Sequence, residues 1–326
     1  MRFYLAPMEE VTGYVFRNVY RELFGDIDKY FTPFLSPMEK KGFKNKDQKE
    51  VAPENNQGQF LVPQILTNQA VLFGQSVRVL YGQGYRECNL NLGCPSQTVV
   101  PKRKGSGFLA DTEELDRFFD EFFSLLDNYG FSESVKISVK TRLGIADPEE
   151  FRKILAIYNR YPLSEIIIHP RVQKDFYRNQ VNTDWFAYAQ RESVHPLCYN
   201  GDIAAVSDYR KLTERFPTLD RLMIGRGLVR NPGLIAEITT GKKVTRSELS
   251  AYESLLYLGY VRAYGEERNA IFKMKEIWYY LGDLFEDASK ELKQIKKAVT
   301  GEKYRAAVEA LFAACPIRET TASAED

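Results

Sequence analysis

An α/β fold is what this sequence predicts: a TIM (β/α)8 barrel followed by a small C-terminal all-helical domain. Three observations predict it. Short β-rich segments alternate with segments of helical periodicity about every 30 residues, as βα units of a parallel sheet do. Eight such strands precede residue 241, and right-handed crossovers close eight into a barrel. Beyond Gly241 the strand signal stops and helical patterns take over.

In chain order the strand segments are 2–6, 29–34, 60–66, 86–92, 135–142, 165–169, 196–200 and 221–225. The clearest intervening helix is 112–129, with Leu115, Phe118, Phe119, Phe122, Phe123 and Leu126 on one stripe. Segments 68–81 and 207–216 read the same way. The weak unit is 36–57, polar and lysine-rich (Lys40, Lys41, Lys44, Lys46, Lys49), which reads as loop with at most a short helix. Segments 247–265, 268–281, 287–299 and 303–312 are helical. The expected organisation is a barrel over 1–241, a helical domain over 242–318 and a disordered tail over 319–326.

Composition narrows the class. With 44% hydrophobic and 27% charged residues the chain can bury a sizeable core. No apolar run reaches the roughly 18 residues of a membrane helix, and the opening Met1 to Pro7 has no signal-peptide core. Cys88, Cys94, Cys198 and Cys315 lack CxxC spacing, and His169 and His195 are the only histidines. Neither a metal site nor a disulfide framework is expected, and the compartment is read as a reducing cytoplasm. A net charge of +1 gives no global basic field, so any nucleic-acid partner must be held by local patches.

The polar residues at strand ends carry the functional signal. In Glu87-Cys88-Asn89-Leu90-Asn91-Leu92 the leucines fall on one face and the asparagines on the other. Gln64, Asn89, Asn91, Lys140, His169, Asn200 and Arg226 all lie near C-terminal strand ends, the face where barrel enzymes gather their chemistry. Any one alone reads as a solvated strand end or a satisfied core group. Seven from six strands read as a site. The loops after the last two strands commonly bind phosphate in this fold. Gly201, Gly225 and Gly227 let backbone N–H groups approach an anion, Arg226 supplies charged donors, and Asn231-Pro232 is expected to open a helix nearby. Gly105-Ser106-Gly107-Phe108-Leu109-Ala110 matches a dinucleotide fingerprint by letter but follows a basic loop, not a strand, and is set aside.

Asn89-Leu90-Asn91-Leu92-Gly93-Cys94-Pro95 completes a recognisable pattern. With Ala6-Pro7-Met8, Phe16-Arg17, Val62-Pro63-Gln64, Gly105-Ser106-Gly107, Val139-Lys140-Thr141-Arg142, His169-Pro170-Arg171, Asn200-Gly201-Asp202, Gly225-Arg226-Gly227 and Lys273-Met274-Lys275, the sequence resembles the tRNA-dihydrouridine synthases. The resemblance implies an FMN-containing barrel, reduced by NADPH or NADH, that saturates the C5–C6 bond of uridines in tRNA, and a monomer.

The resemblance also distributes roles. Cys94 is the general acid to C5; an ordinary thiol pKa of about 8.5 keeps it protonated at neutral pH. Pro7, Met8, Gln64 and Lys140 fall to the flavin ring, His169 to base and flavin or to the flavin ring alone, and Asn200, Gly201, Asp202, Gly225 and Arg226 to the cofactor, with Gly201, Gly225 and Arg226 at its phosphate. Lys140 would face the negative edge of reduced flavin; otherwise it needs a protein anion. Asn91 falls to the substrate base and flavin, Arg171 to the base or a nearby phosphate, and Lys102 and Arg103 to the RNA on a segment able to close over Cys94. Lys290, Lys293 and Lys297, with Lys296 beside them, are candidate phosphate contacts or a solvated stripe. Cys88 and Cys198 are read as structural and His195 as a loop residue. The rival readings are an FMN barrel reducing a free pyrimidine and a non-catalytic tRNA-binding protein.

Overall fold

Among the described residues nine parallel strands form one sheet in the order β3-β2-β1-β9-β8-β7-β6-β5-β4. They are β1 (Arg2–Leu5), β2 (Lys29–Phe31), β3 (Leu61–Val62), β4 (Gln64–Ile65), β5 (Glu87–Leu92), β6 (Lys136–Thr141), β7 (Glu165–Ile168), β8 (Leu197–Asn200) and β9 (Arg221–Ile224). The computed structural model describes residues 1–39 and 42–318; Lys40, Lys41 and the expected tail 319–326 lie outside the described residues.

The two ends of that strand order are neighbours in sequence. The expected single strand 60–66 is split at Pro63, which has no N–H to give to a ladder. Its carbonyl still accepts the Asn89 N–H at 2.9 Å, while the Val62 carbonyl accepts that of Thr32 at 3.2 Å. One stretch therefore pairs with β2 through β3 and with β5 through β4, and the sheet closes. The fold is the expected TIM barrel.

Period-2 alternation stacks the barrel interior in layers. At the N-terminal end sit Lys29, Glu87, Glu165 and Arg221, each the first residue of its strand. Lys29 Nζ lies 2.8 Å from both Glu87 oxygens and 3.7 Å from Glu165, which also meets Arg221 at 3.1 Å and the Tyr4 hydroxyl at 3.0 Å. Above this charged floor comes an apolar layer of Tyr4, Phe31, Val62, Ile167, Cys198 and Met223. Beyond it Gln64 on β4 pairs in register with Asn89 on β5, and Asn91 on β5 with Lys140 on β6. All six residues of β5 are buried, as a strand covered on both faces requires.

Between strands run α1 (Tyr14–Leu23), α2 (Asn45–Val51), α3 (Ala70–Gly82), α4 (Thr112–Asn128), α5 (Phe151–Tyr158), α6 (Thr183–Glu192) and α7 (Val206–Arg215). The weak unit holds α2, a short helix in a polar loop, as its composition suggested. After β9 come α8 (Arg226–Arg230), α9 (Leu234–Thr240), α10 (Arg246–Tyr264), α11 (Glu267–Leu281), α12 (Ser289–Lys297) and α13 (Gly301–Ala314). Two expectations need correction. Asn231-Pro232 does not open a helix: the chain turns helical at Arg226, and Asn231 instead bridges α8 and α9, accepting the Gly233 N–H at 3.0 Å. The helix expected over 287–299 is shorter, because Asp287 takes φ 52° before it and Ala298 is extended after it.

The chain divides into two compact units. The first comprises Met1–Pro7, Lys29–Gly201 and Thr218–Met223 and holds nearly the whole sheet. The second comprises Met8–Asp28, Asp202–Pro217 and the described residues from Ile224 onward. Within the second, α10 meets α1 at Gly259, where a Cβ would come within 2.8 Å of Val15. Phe16 and Phe24 present edges to Tyr252, with centroids 6.2 and 5.5 Å apart. In the same unit the buried Tyr304 hydroxyl donates to Glu253 and accepts from Trp278 Nε1 at 2.9 Å.

Candidate active site

A relay of buried amides crosses the C-terminal end of the first unit's sheet. Asn89 Nδ2 donates to Ser138 Oγ at 2.9 Å, and Asn89 Oδ1 accepts from Gln64 Nε2 at 2.8 Å. Gln64 Oε1 accepts from Asn91 Nδ2 at 2.7 Å. Asn91 Oδ1 then accepts two backbone donors, the N–H of Gly93 at 3.1 Å and of Cys94 at 2.9 Å. Gln64 and Asn89 are fully buried, where unmade hydrogen bonds are costly, so each member fixes the next. The consequence falls on Cys94. Asn91 makes an Asx turn that ends β5 and holds the following turn in shape.

The other side of that turn is held by the Gly105–Ala110 segment. Ser106 donates to the Cys94 carbonyl twice, from its N–H at 3.1 Å and its hydroxyl at 2.9 Å. Gly105 sits at φ 56°, and a Cβ there would lie 2.8 Å from the same carbonyl. A Cβ on Gly107 would meet the Val100 carbonyl at 2.6 Å. The two glycines of the rejected fingerprint thus serve close approach to the Cys94 turn. Cys94 is partly exposed, whereas Cys88, Cys198 and Cys315 are buried; all four are free thiols.

Lys140, on β6 beside Asn91, makes no ion pair or hydrogen bond through its ammonium among the described residues. Some of its surface stays exposed, yet protein atoms crowd it. Desolvation, with Arg142 nearby, pushes its pKa down to about 8. The salt-bridge alternative for Lys140 finds no carboxylate.

His169 and Arg171 follow β7 and are buried. Arg171 Nη1 lies 3.0 Å from His169 Nε2; since the guanidinium only donates, that nitrogen accepts, and the ring proton sits on Nδ1. Tyr177 stacks on His169 at 6.0 Å, and its ring lies 5.2 Å from the Arg142 guanidinium. Arg142 donates to three main-chain oxygens: Gly93 at 3.0 Å, Val172 at 2.9 Å and Phe176 at 2.7 Å. Sequence reasoning passed over Arg142, Ser106 and Tyr177. The first resembles an ordinary charged strand end, and its partners are backbone groups without a sequence signature.

At the end of β8, Asn200 Nδ2 donates to the Met223 carbonyl at 2.9 Å, and a Cβ on Gly201 would strike the Tyr199 hydroxyl at 2.4 Å. In the second unit Asp202 pairs with Arg226 at 2.7 Å, and Gly225 begins α8. Gly227 admits no side chain, a Cβ lying 2.0 Å from the Ile203 carbonyl. Met8, also in that unit, has its N–H on Thr12 Oγ1 at 2.8 Å and its carbonyl on the N–H groups of Val11 and Thr12. Pro7 ends the first segment of the first unit. Arg103 turns toward the start of α4, 3.3 Å from Glu114, while Lys102 is exposed. His195 caps a loop, its Nε2 2.9 Å from the Tyr158 carbonyl. Lys290, Lys293, Lys296 and Lys297 are all exposed on α12.

The profile of a family described as dihydrouridine synthase (Dus) matches residues 4–315. The chain belongs to the dihydrouridine synthase family. It is an enzyme of the oxidoreductase class. Curated relatives include a tRNA-dihydrouridine(16) synthase of Pseudomonas syringae pathovar tomato, 26% identical over 248 residues, covering 74% of this chain and 76% of the relative. A probable tRNA-dihydrouridine synthase 2 of Bacillus subtilis is 29% identical over 241 residues, covering 71% and 70%. Among solved structures, morphinone reductase superposes with a TM-score of 0.54 at 11% identity, covering 77% of this chain and 88% of that one. The old yellow enzyme of Trypanosoma cruzi gives 0.54 at 8% identity, covering 79% and 93%. At such identities these two speak for the barrel fold alone. No described helix of this family member is long and apolar enough to cross a membrane.

Proposed function

We propose that this dihydrouridine synthase family member reduces the C5–C6 double bond of uridines in tRNA, using bound FMN and NADPH or NADH, as a cytoplasmic monomer. The observation that carries the reading is the family match over residues 4–315. FMN, when bound, supplies the hydride that no side chain carries. The fit of this chain to such a group rests on Lys140, a crowded cation with no carboxylate partner among the described residues, and on Gln64, whose Nε2 keeps a second N–H beyond its bond to Asn89. We assign Lys140, Gln64 and His169 to the ring, with Pro7 and Met8 offering backbone. Asn200, Gly201, Asp202, Gly225 and Arg226 are assigned to the phosphate side.

Cys94 holds the proton destined for C5 at Sγ, and the Asn91 and Ser106 bonds aim it. His169, whose Nε2 is held by Arg171, is assigned to orienting the ring rather than to protonating the base. Asn91, with one N–H beyond its bond to Gln64, and Arg171 are assigned to the base. The target base must leave its stack to reach such a site. Lys102 and Arg103 are assigned to flanking phosphates, and the 242–318 helices, with the α12 lysines, to tRNA beyond the 1–241 barrel.

Mass spectrometry of tRNA from a strain lacking this enzyme tests the reading. Purified protein with NADPH is expected to be yellow and to raise dihydrouridine in that tRNA, and Cys94→Ala to lower the rate about 10²–10⁴-fold. A colourless protein that leaves the tRNA unchanged overturns it, and activity on free uracil instead of tRNA selects the small-pyrimidine rival.

A further inference from the structure

We infer that Arg142 is a positioning residue that locks the Cys94 turn and the segment after β7 into one arrangement. The inference rests on the reading of Cys94 as proton donor. Arg142 is 1% exposed and directly follows β6, between the two segments it ties. Its Nε donates to the Gly93 carbonyl, one residue before Cys94. Its Nη1 and Nη2 donate to Val172 and Phe176, in the segment that carries His169, Arg171 and Tyr177.

Two further observations indicate a function beyond holding the fold. No carboxylate lies within ion-pairing distance of Arg142 among the described residues. A buried guanidinium answered by three neutral carbonyls and by Tyr177, with Arg171 and Asp175 acting on it from further off, is held below its usual pKa chiefly by desolvation. A purely structural tie would be made at lower cost by neutral donors, yet only a planar fork reaches three acceptors on two segments. Second, Phe176 takes φ 50° and ψ −99°, a strained backbone for a residue with a side chain, and the Arg142 bond falls on its carbonyl. Such strain persists where the surroundings over-determine it and gathers at functional segments.

If Arg142 acts through the thiol, its loss and the loss of the thiol will not add. Single-turnover reduction of tRNA by the flavin-loaded enzyme is measured for wild type, Arg142→Lys, Cys94→Ala and the double variant. The lysine keeps charge and approximate length but cannot span three carbonyls. Arg142→Lys is expected to slow turnover about 100-fold, the scale of a misplacement of about 1 Å, with KM for tRNA within about threefold. In the Cys94→Ala background the same change is expected to cost less than about threefold, the non-additivity of groups acting as a unit. Equal losses in both backgrounds, or a change confined to KM, overturn the inference. Should Arg142→Lys lose flavin or its melting transition, Arg142→Gln is measured in the same cycle, with the same outcomes deciding. Wild-type turnover separates the two failures: none at all refutes the proposed function, whereas normal turnover with additive losses refutes only the role of Arg142.

Discussion

The side-chain carbonyl of Asn91 accepts the backbone N–H of Cys94 at 2.9 Å, while its amide donates to Gln64 at 2.7 Å. One residue thus shapes the turn that presents the thiol and anchors that turn to a buried relay. Asn91→Ala strands the Gly93 and Cys94 donors and a Gln64 acceptor. Stability is expected to fall by about 1–3 kcal/mol and turnover by roughly 100-fold. Urea denaturation and single-turnover assays on one preparation check both; an unchanged rate would show that the turn holds itself.

Lys140 gives a pH signature without turnover. Its folded pKa, lowered to about 8, lies below the unfolded value of about 10.4. Between those values the unfolded chain binds more protons, so this residue makes the flavin-free protein more stable as pH rises. Below about pH 8 its charge is a standing cost. Lys140→Met should therefore raise the flavin-free melting temperature at pH 7 by a few degrees and flatten the difference curve between pH 8 and 10. The same variant should bind FMN more weakly. A lower melting temperature in Lys140→Met would reject this account.

The charged floor of the barrel predicts a purely structural defect. Lys29→Met leaves the buried carboxylates of Glu87 and Glu165 with the Arg221 ion pair, at Glu165. A loss on the order of 3 kcal/mol is expected, with kcat unchanged below the melting range, since the floor lies at the opposite end of the strands from Cys94. Calorimetry beside steady-state rates decides, and a variant as stable as wild type would mean that Arg221 suffices.

Glu253 should make the helical region prefer mild acid. Burial pushes its carboxyl up to about 7, against the opposing Tyr304 bond, while the unfolded value is about 4.3. From pH 4.3 to 7 the folded state binds more protons, so the contribution is present at low pH and lost as pH rises through 7. Glu253→Gln, which keeps an acceptor for Tyr304, should abolish that slope and stabilise the protein at pH 8, by on the order of 3 kcal/mol at most. Melting curves of both proteins at pH 5 and 8 suffice; parallel pH dependence would exclude Glu253 as the source.

The barrel was legible because its strands are short, apolar and regularly spaced, and all eight expected segments contain observed ones. The break at Pro63 was not foreseen, although an imide in mid-strand announces it. The relay was half legible. Parity put Gln64, Asn89 and Asn91 at one end of the barrel, but only the β4–β5 register shows that they bond one another rather than all pointing at a ligand. An Asn two residues before Gly93 was a readable turn signal for the Cys94 anchor. Arg142 was illegible for a different reason: a lysine or arginine at a strand end normally reaches solvent, and its acceptors are carbonyls that every residue possesses.

Those acceptors bear on how such a protein can drift over generations. Because Arg142 reaches main-chain oxygens of Gly93, Val172 and Phe176, none of the three side chains takes part in the tie. Each can be exchanged for another of compatible backbone preference while the guanidinium stays in place. Paired substitutions between Arg142 and these positions should be rare among relatives, and searches for covarying residues will pass over this tie.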